Sequence, residues 1–262
     1  AGNVKEDERV KLLNQALDAC QQAVRLDSNY AEGHAYLAEV YADFNSWGRA
    51  LEEAELAVQL DDRSVDAHRN LGYVLERQGK YRQAVEEYEI AIELHPRLSH
   101  LYIGAGRNYL VLENYRLAID HFQTAIEVDP DNPAAHDMLG WAYFVQGDYQ
   151  LATAQFEKAI ELDPDYAQAY GHLGLAYYVR RHYEMAITTL QKALDMGLER
   201  VEYYYEIGLS YIFLDQCDQA IPWLEKALEL DPTSRPAYEG LILCGERPPW
   251  PTDTPTVEVP GE

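Results

Sequence analysis

The chain has 262 residues, with 45 Asp and Glu against 21 Lys and Arg, and a formal net charge of −24. Such an acidic surface repels phosphate backbones and anionic lipid, which argues against nucleic acid and membrane surfaces as partners. No apolar run approaches the roughly 20 residues that span a bilayer, and three cysteines do not make a disulfide framework.

The most informative feature along the chain is a repeat with a period of 34 residues. Small residues recur with this period in three columns: Gly72, Gly106, Gly140, Gly174 and Gly208; Ala50, Ala84, Ala118, Ala152, Ala186 and Ala220; and Ala57, Ala91, Ala125, Ala159, Ala193 and Ala227. Between them, apolar residues recur at spacings of three and four, which is a helical period. A fixed period of this size indicates one helical supersecondary unit that is copied and stacked.

The elements follow from this register in chain order. Residues 1–30 hold a partial copy, in which Ala16, Cys20 and Ala23 match only a second helix. Residues 31–234 hold six full copies, here numbered 1 to 34 from Ala31, Val65, Ser99, Pro133, Ala167 and Val201. Residues 235–245 predict one capping helix, and the Pro/Thr-rich residues 246–262 predict a disordered tail. Gly79 and Gly147 suit turns with positive φ, and Pro222 is expected to kink a second helix or delay its start.

The repeat resembles the tetratricopeptide repeat, most clearly between residues 133 and 164. That stretch carries Leu139-Gly140, Tyr143, Gly147, Tyr149, Ala152, Phe156, Ala159 and Asp163-Pro164. The resemblance covers roughly residues 10–245. It implies an all-α fold, a right-handed solenoid of antiparallel helix pairs whose first helices line a concave groove.

Candidate chemical sites are explained by the repeat. His34, His68 and His136 all occupy position 4, a repeat apart, so they cannot converge on one metal ion and are predicted to pack. Gly104-Ala105-Gly106 lies inside a predicted helix and fails the context of a phosphate loop. We therefore predict no enzyme: no catalytic residue, metal or cofactor. Cys20 and Cys244 are expected to be buried thiols, and a bridge between Cys217 and Cys244 is the alternative that spacing leaves open.

The resemblance also implies a ligand groove, lined by positions 2, 5, 6, 9, 12 and 13 of each first helix. The predicted groove residues are Arg69, Asn70, Tyr73, Arg77, Arg107, Trp141, Phe144, His172, Tyr178 and Tyr205. Trp141 is expected to be the anchor, with aromatic walls and an arginine cluster beside it, and Gly171 and His172 are expected to leave room for an incoming side chain. Of the carboxylate clamp that binds chaperone tails in this family only Asn70 is present, so that partner class is not expected.

These observations predict a non-catalytic scaffold that binds a peptide or helical segment of a protein partner. Two alternatives stay open. One is a structural subunit that self-associates or packs in a larger assembly, through the unpartnered helix face of Val10, Leu13, Ala16 and Leu17. The other is the regulatory repeat domain of an enzyme whose catalytic domain is elsewhere. The sequence begins without methionine, which indicates a processed piece, either cytoplasmic or the soluble part of a membrane-tethered protein.

Overall fold

A computed structural model describes residues 2–246, with side chains from residue 8 onward. Of the predicted tail, residues 247–262 lie outside the described residues. The described chain forms fourteen α-helices and no strand: α1 Gly2–Leu26, α2 Ala31–Asp43, α3 Trp47–Leu60, α4 Val65–Arg77, α5 Tyr81–Leu94, α6 Ser99–Val111, α7 Tyr115–Val128, α8 Pro133–Gln146, α9 Tyr149–Leu162, α10 Ala167–Val179, α11 Tyr183–Asp195, α12 Val201–Phe213, α13 Cys217–Leu230 and α14 Arg235–Leu243. None of these helices is long and apolar enough to cross a membrane.

Consecutive helices pack in pairs, which confirms the predicted helical repeat solenoid. The pairs α2–α3, α4–α5, α6–α7, α10–α11 and α12–α13 each pack together. A second helix then packs on the first helix of the next copy, as in α3–α4, α5–α6 and α11–α12. The chain divides into two compact bodies, an N-terminal body Ala1–Ala142 and a C-terminal body Tyr143–Glu262, which are described separately below.

The small-residue columns are explained by close packing inside each copy. The alanines of both columns are fully buried, and the residue at position 24 lies against the glycine of its own first helix. A Cβ built on Gly106 would stand 2.5 Å from the Phe122 ring, and one on Gly208 would stand 2.6 Å from Leu224. Real Cβ atoms do not approach so closely, so the glycine column is required by the large residue that covers it.

The turn inside each copy uses a left-handed residue at position 15, whether or not that residue is glycine. Gly79 and Gly147 have positive φ, as predicted. The other four copies place non-glycine residues in the same conformation: Asn45 (φ 56°), Glu113 (58°), Arg181 (62°) and Asp215 (58°). Since L-residues disfavour this region, the packing of the two helices, rather than the local sequence, imposes the turn at these copies.

In four copies the residue at position 4 ties the first helix to the turn that precedes it. The Nε2 atoms of His34 and His68 lie 3.2 and 3.0 Å from the carbonyl oxygens of Ser28 and Asp62, six residues back. His136 makes the same contact with Pro130 at 3.2 Å, and in the copy between them the Tyr102 hydroxyl donates to the Pro96 carbonyl at 3.1 Å. In these four copies His and Tyr serve the same structural purpose, which we call the position-4 latch, whereas Tyr204 donates to the Glu199 carboxylate at 3.4 Å.

The latch histidines also contact carboxylates of the second helix. Nδ1 of His34 lies 2.6 Å from Glu53, and Nδ1 of His68 lies 2.6 Å from Glu87. The hydrogen bond to Glu87 raises the pKa of His68, in spite of the opposing effect of burial. The latch therefore holds two helices of one copy as well as the turn before it.

The C-terminal cap differs from expectation at Cys244, which is not a thiol. Cys217 and Cys244 form a disulfide, with 5.4 Å between their Cα atoms and a sequence separation of 27. Helix α14 packs on both α12 and α13, and this brings the residue after α14 beside the first residue of α13. Cys20 is a half-buried free cysteine. Pro222 lies inside α13 without delaying its start, because that helix begins at Cys217 and has 14 residues, as many as α9.

Candidate functional site

The predicted groove residues are divided between the two bodies. The N-terminal body holds Arg69, Asn70 and Tyr73 on α4, Arg77 at its end, Arg107 on α6 and Trp141 on α8. The C-terminal body holds Phe144 at the end of α8, His172 and Tyr178 on α10, and Tyr205 on α12. The structure therefore supplies two surfaces, a polar one and an aromatic one.

Two of the three predicted anchor arginines already hold carboxylates of the preceding first helix. Arg69 Nη2 donates to Glu39 at 3.1 Å, and its Nε lies 3.6 Å from Asp66. Arg107 Nη2 donates to Glu76 at 3.1 Å. Part of the positive charge expected for an incoming carboxylate is thus neutralised within the protein. Arg77 differs, because its guanidinium carbon lies 5.5 Å from the centre of the Trp47 ring.

Glu76 is the centre of a polar cluster that sequence reasoning saw only in part. Besides Arg107, it accepts hydrogen bonds from Asn108 Nδ2 at 3.0 Å and from the Tyr88 hydroxyl at 3.4 Å. Asn108 is fully buried at position 10, where the other first helices carry Val, Ala or Ser. An amide in a mostly apolar column is the sequence signal by which this residue could have been found.

The most unusual group on the polar surface is the Asn70 side chain. It is only 1% exposed, and neither its amide nitrogen nor its amide oxygen has a hydrogen-bond partner among the described residues. Nε of Arg69, Nε of Arg107 and Oδ1 of Asn108 are also buried without a hydrogen bond in the described chain, although Arg69 Nε has the ion-pair contact with Asp66 given above. A buried polar atom without a partner costs about 1–3 kcal/mol, so this surface holds unused hydrogen-bonding capacity.

Two further predicted groove residues belong to the N-terminal body. Tyr73 is half-buried, and burial raises the pKa of its hydroxyl, with the nearby Asp43 acting in the same direction. Trp141 is half-buried on α8, between the buried Gly140 and Ala142. Both side chains therefore keep some surface that a ligand can contact.

The C-terminal body carries an aromatic cluster formed by Tyr178, Tyr183 and Phe213. The Tyr183 and Phe213 rings stack with 4.7 Å between their centres, and the Tyr178 ring lies 6.1 and 6.3 Å from them. The Phe213 side chain is 56% exposed, and it is one of five phenylalanines in the chain. Tyr183 was absent from the predicted groove because position 17 is otherwise a core column.

A carboxylate lies beside this cluster, on the middle of α12. Burial raises the pKa of Glu206 to about 8, and hydrogen bonding by Tyr178 offsets this only in part. Its Oε2 atom has no hydrogen-bond partner in the described chain. Burial and the charge of Glu206 raise the pKa of the neighbouring Tyr205 to about 12. The second surface therefore combines aromatic rings with a desolvated acid.

The expectation that Gly171 and His172 leave room for an incoming side chain is wrong at Gly171. Tyr203 fills that space and is only 1% exposed, and its hydroxyl would collide with any Cβ at Gly171. His172 is buried, with its ring centre 5.4 Å from that of Phe156. Sequence reasoning missed this because Tyr203 comes from the next copy, at a position that lies outside the groove set.

The C-terminal body also has an open cleft of about 640 Å³. It is bordered by side chains of α9, α10 and α11, among them Ile160, Tyr170, Leu173 and Met185. At its edge, the Tyr177 hydroxyl donates to Glu157 at 2.8 Å. Over the whole described chain, no group of three or more His, Cys, Asp or Glu residues is placed to hold a metal ion.

Comparison with known proteins agrees with this architecture. Family models described as tetratricopeptide repeat match residues 65–98, 103–167, 138–197 and 201–234. No curated protein matches the chain.

Among solved structures, a chain of the APC/C hetero-tetramer Cut9–Hcn1 is similar, with 22% identity and a TM-score of 0.81 over 89% of this chain. The match spans 46% of that chain, or about half of it. PilF of Pseudomonas aeruginosa matches at 19% identity and a TM-score of 0.72, over 81% of this chain and 96% of its own. YrrB, described as a TPR protein with an unusual peptide-binding site, matches at 25% identity and a TM-score of 0.53, over 72% of this chain and 97% of its own.

Proposed function

Because the chain belongs to the tetratricopeptide repeat family, we propose that it is a non-catalytic scaffold that binds an extended segment of a protein partner. The family and the fold support protein interaction in general. The proposal that the ligand is an extended protein segment rests on the buried polar atoms without a hydrogen bond at predicted groove positions of α4 and α6, above all those of the Asn70 amide.

The chemistry of the Asn70 amide fits the main chain of a peptide. Its nitrogen donates and its oxygen accepts, so one side chain can pair with a peptide carbonyl and a peptide N–H. Because Asn70 is only 1% exposed, such pairing requires the groups that cover it to move aside, and it then recovers the desolvation cost that the free protein bears there. Arg69 and Arg107, held by Glu39 and Glu76, form the border of the site and contribute charge-assisted hydrogen bonds to an incoming acidic group. The printed description of YrrB as a peptide-binding TPR protein supports the same ligand class.

Peptides selected from a displayed random library against the purified chain test this proposal. We expect the selected peptides to bind Asn70→Ala about 5–30-fold more weakly than the wild type, since one pair of buried hydrogen bonds is lost. The matched control is Asn14→Ala, which removes an exposed asparagine of α1 that only hydrogen-bonds the Val10 carbonyl. Unchanged affinity for Asn70→Ala, with the same thermal stability, contradicts the proposal.

A second candidate function is self-association through α1. Leu12 is 59% exposed, and with Leu13 and Ala16 it borders a shallow open hollow on this helix. An amphipathic helix whose apolar face is uncovered favours a neighbouring chain. Light scattering at increasing concentration measures the molecular mass in solution. A dimer that becomes a monomer in the Leu12→Lys variant supports self-association, and a constant mass of 29.9 kDa excludes it.

A further inference from the structure

Glu206 is a half-buried acid whose Oε2 atom is buried, and the described chain supplies no counter-ion for it. It lies on α12, and the titratable groups that act on it or on its neighbouring hydroxyls are Tyr178 of α10, Tyr183 of α11, and Glu202 and Tyr205 of α12. No lysine, arginine or histidine of the described residues forms an ion pair with it, and α13 and α14 contribute no charge that shifts its titration. A desolvated carboxylate is costly unless a cation or several donors compensate it.

The aromatic cluster beside Glu206 supplies the second half of a cation site. Ring faces attract a lysine ammonium or an arginine guanidinium within about 6 Å of the ring centre. Tyr178 belongs to the cluster and also contacts Glu206, so the rings and the carboxylate are continuous. Phe213 remains largely exposed, which leaves one wall open to a ligand.

We propose that Glu206 and the aromatic cluster of Tyr178, Tyr183 and Phe213 form a subsite for a lysine or arginine side chain of the bound protein segment. The inference rests on the proposed function, because it names the chemistry of a residue in that segment. Charge complementarity supports the choice of a cation: the chain carries a net charge of −24, and Glu202 adds a second acidic group on the same helix.

Binding of a cation has a consequence that mere packing of the acid does not have. Burial keeps much of Glu206 protonated at neutral pH, since its pKa is about 8. An ammonium or guanidinium placed against the carboxylate favours the ionised form and lowers that pKa. Binding therefore releases protons at neutral pH, which calorimetry in buffers of different ionisation enthalpy measures directly.

Nα-acetyl-lysine amide and Nα-acetyl-arginine amide are suitable probes, with Nα-acetyl-norleucine amide as the neutral control. They are titrated into protein with labelled Tyr and Phe and followed by NMR, together with calorimetry in two buffers. We expect a cationic probe to shift the resonances of the three cluster residues and to release protons. We expect Glu206→Gln to weaken that probe about tenfold, the loss of one charged contact of roughly 1.4 kcal/mol. Glu202→Gln on the same helix is the matched control and is expected to retain most of the affinity.

The outcomes separate the two proposals. Equal shifts with norleucine amide, or no shift with either cation, overturn the cation subsite even if library peptides bind the chain. Shifts and proton release with a cation support it even if no library peptide is selected, in which case the peptide-binding function fails alone. Phe213→Ala gives an independent variant, since an exposed end-of-helix residue is removed without touching the core. If the Phe213→Ala variant binds the lysine amide and the arginine amide as tightly as the wild type does, the proposal is also overturned.

Discussion

The Cys217–Cys244 disulfide gives the sharpest test of the structure, because its removal has a calculable effect. The bridge closes a loop of 27 residues that contains nearly all of α13 and α14. In the chain-entropy description such a loop contributes about 3.5 kcal/mol to the free energy of unfolding. Reduction, or Cys217→Ser, is therefore expected to lower stability by roughly 2–4 kcal/mol.

The loss is expected to be local. Helix α14 has 9 residues, too few for a stable isolated helix. It is held by the bridge and by the burial of Ala237 and Leu241 in the core shared with Leu224. Since a repeat array unfolds from its ends, hydrogen exchange of residues 235–246 should accelerate first on reduction, before that of α10.

The assay is urea unfolding of oxidised and reduced protein, with peptide-level hydrogen exchange. Cys20→Ser is the control, because it removes a cysteine outside the bridge and should leave the effect of reductant intact. A non-reducing peptide map must contain the linked Cys217 and Cys244 peptides. Identical unfolding curves with and without reductant, in protein whose bridge the map confirms, refute the entropic argument and assign the cap to packing alone.

Four more outcomes are expected. The pKa of Glu206 is raised from 4.5 to about 8 in the folded protein. The ionised side chain therefore destabilises the fold fully above about pH 8, and this effect is absent below pH 4.5, where the side chain is protonated in both states. Glu206→Gln should thus raise stability by roughly 2–5 kcal/mol at alkaline pH and by little in acid, as urea titrations at both pH values will show. Trp141→Ala should weaken a selected peptide about 30-fold in calorimetry and leave the melting temperature unchanged; a protein that unfolds instead shows that Trp141 is core. Arg181→Gly should stabilise the chain by roughly 0.5–1 kcal/mol in thermal melts, because glycine adopts the left-handed backbone conformation of Arg181 without steric strain. A loss of stability contradicts the inference that helix packing imposes this conformation. Deletion of Ser99 to Asn132 should leave a folded, shorter helical chain by circular dichroism, since neighbours of the same period replace each other, whereas an aggregated product contradicts this.

Much of the fold could be predicted because each copy repeats the same short-range demands. The glycine and alanine columns and the helical period predict the helices and their order. The structure places a large residue against each of Gly106, Gly174 and Gly208. The turns were predicted only where glycine is present. Glu113 and Arg181 adopt the same φ without any local signal, because the constraint comes from helices that are packed on either side.

The candidate site could be predicted less well, because its properties depend on contacts between copies. The sequence predicts Arg69 and Arg107 as groove residues, but it does not predict their pairing with Glu39 and Glu76 of the preceding first helix. It also leaves open that Tyr203 occupies the space beside Gly171. The disulfide was an open alternative for the same reason: it depends on how far α14 folds back over α13, which no periodic column specifies.

The position-4 latch bears on how such a chain can evolve. Its acceptor is a main-chain carbonyl, which every residue type provides, and the four latches described above use Ser28, Asp62, Pro96 and Pro130. A copy that carries one of these four latches thus needs no matching side chain for this contact in the copy before it. When gene duplication inserts, removes or reorders copies, this contact therefore needs no compensating change, in contrast to the side-chain matches between copies at Gly171 and Tyr203.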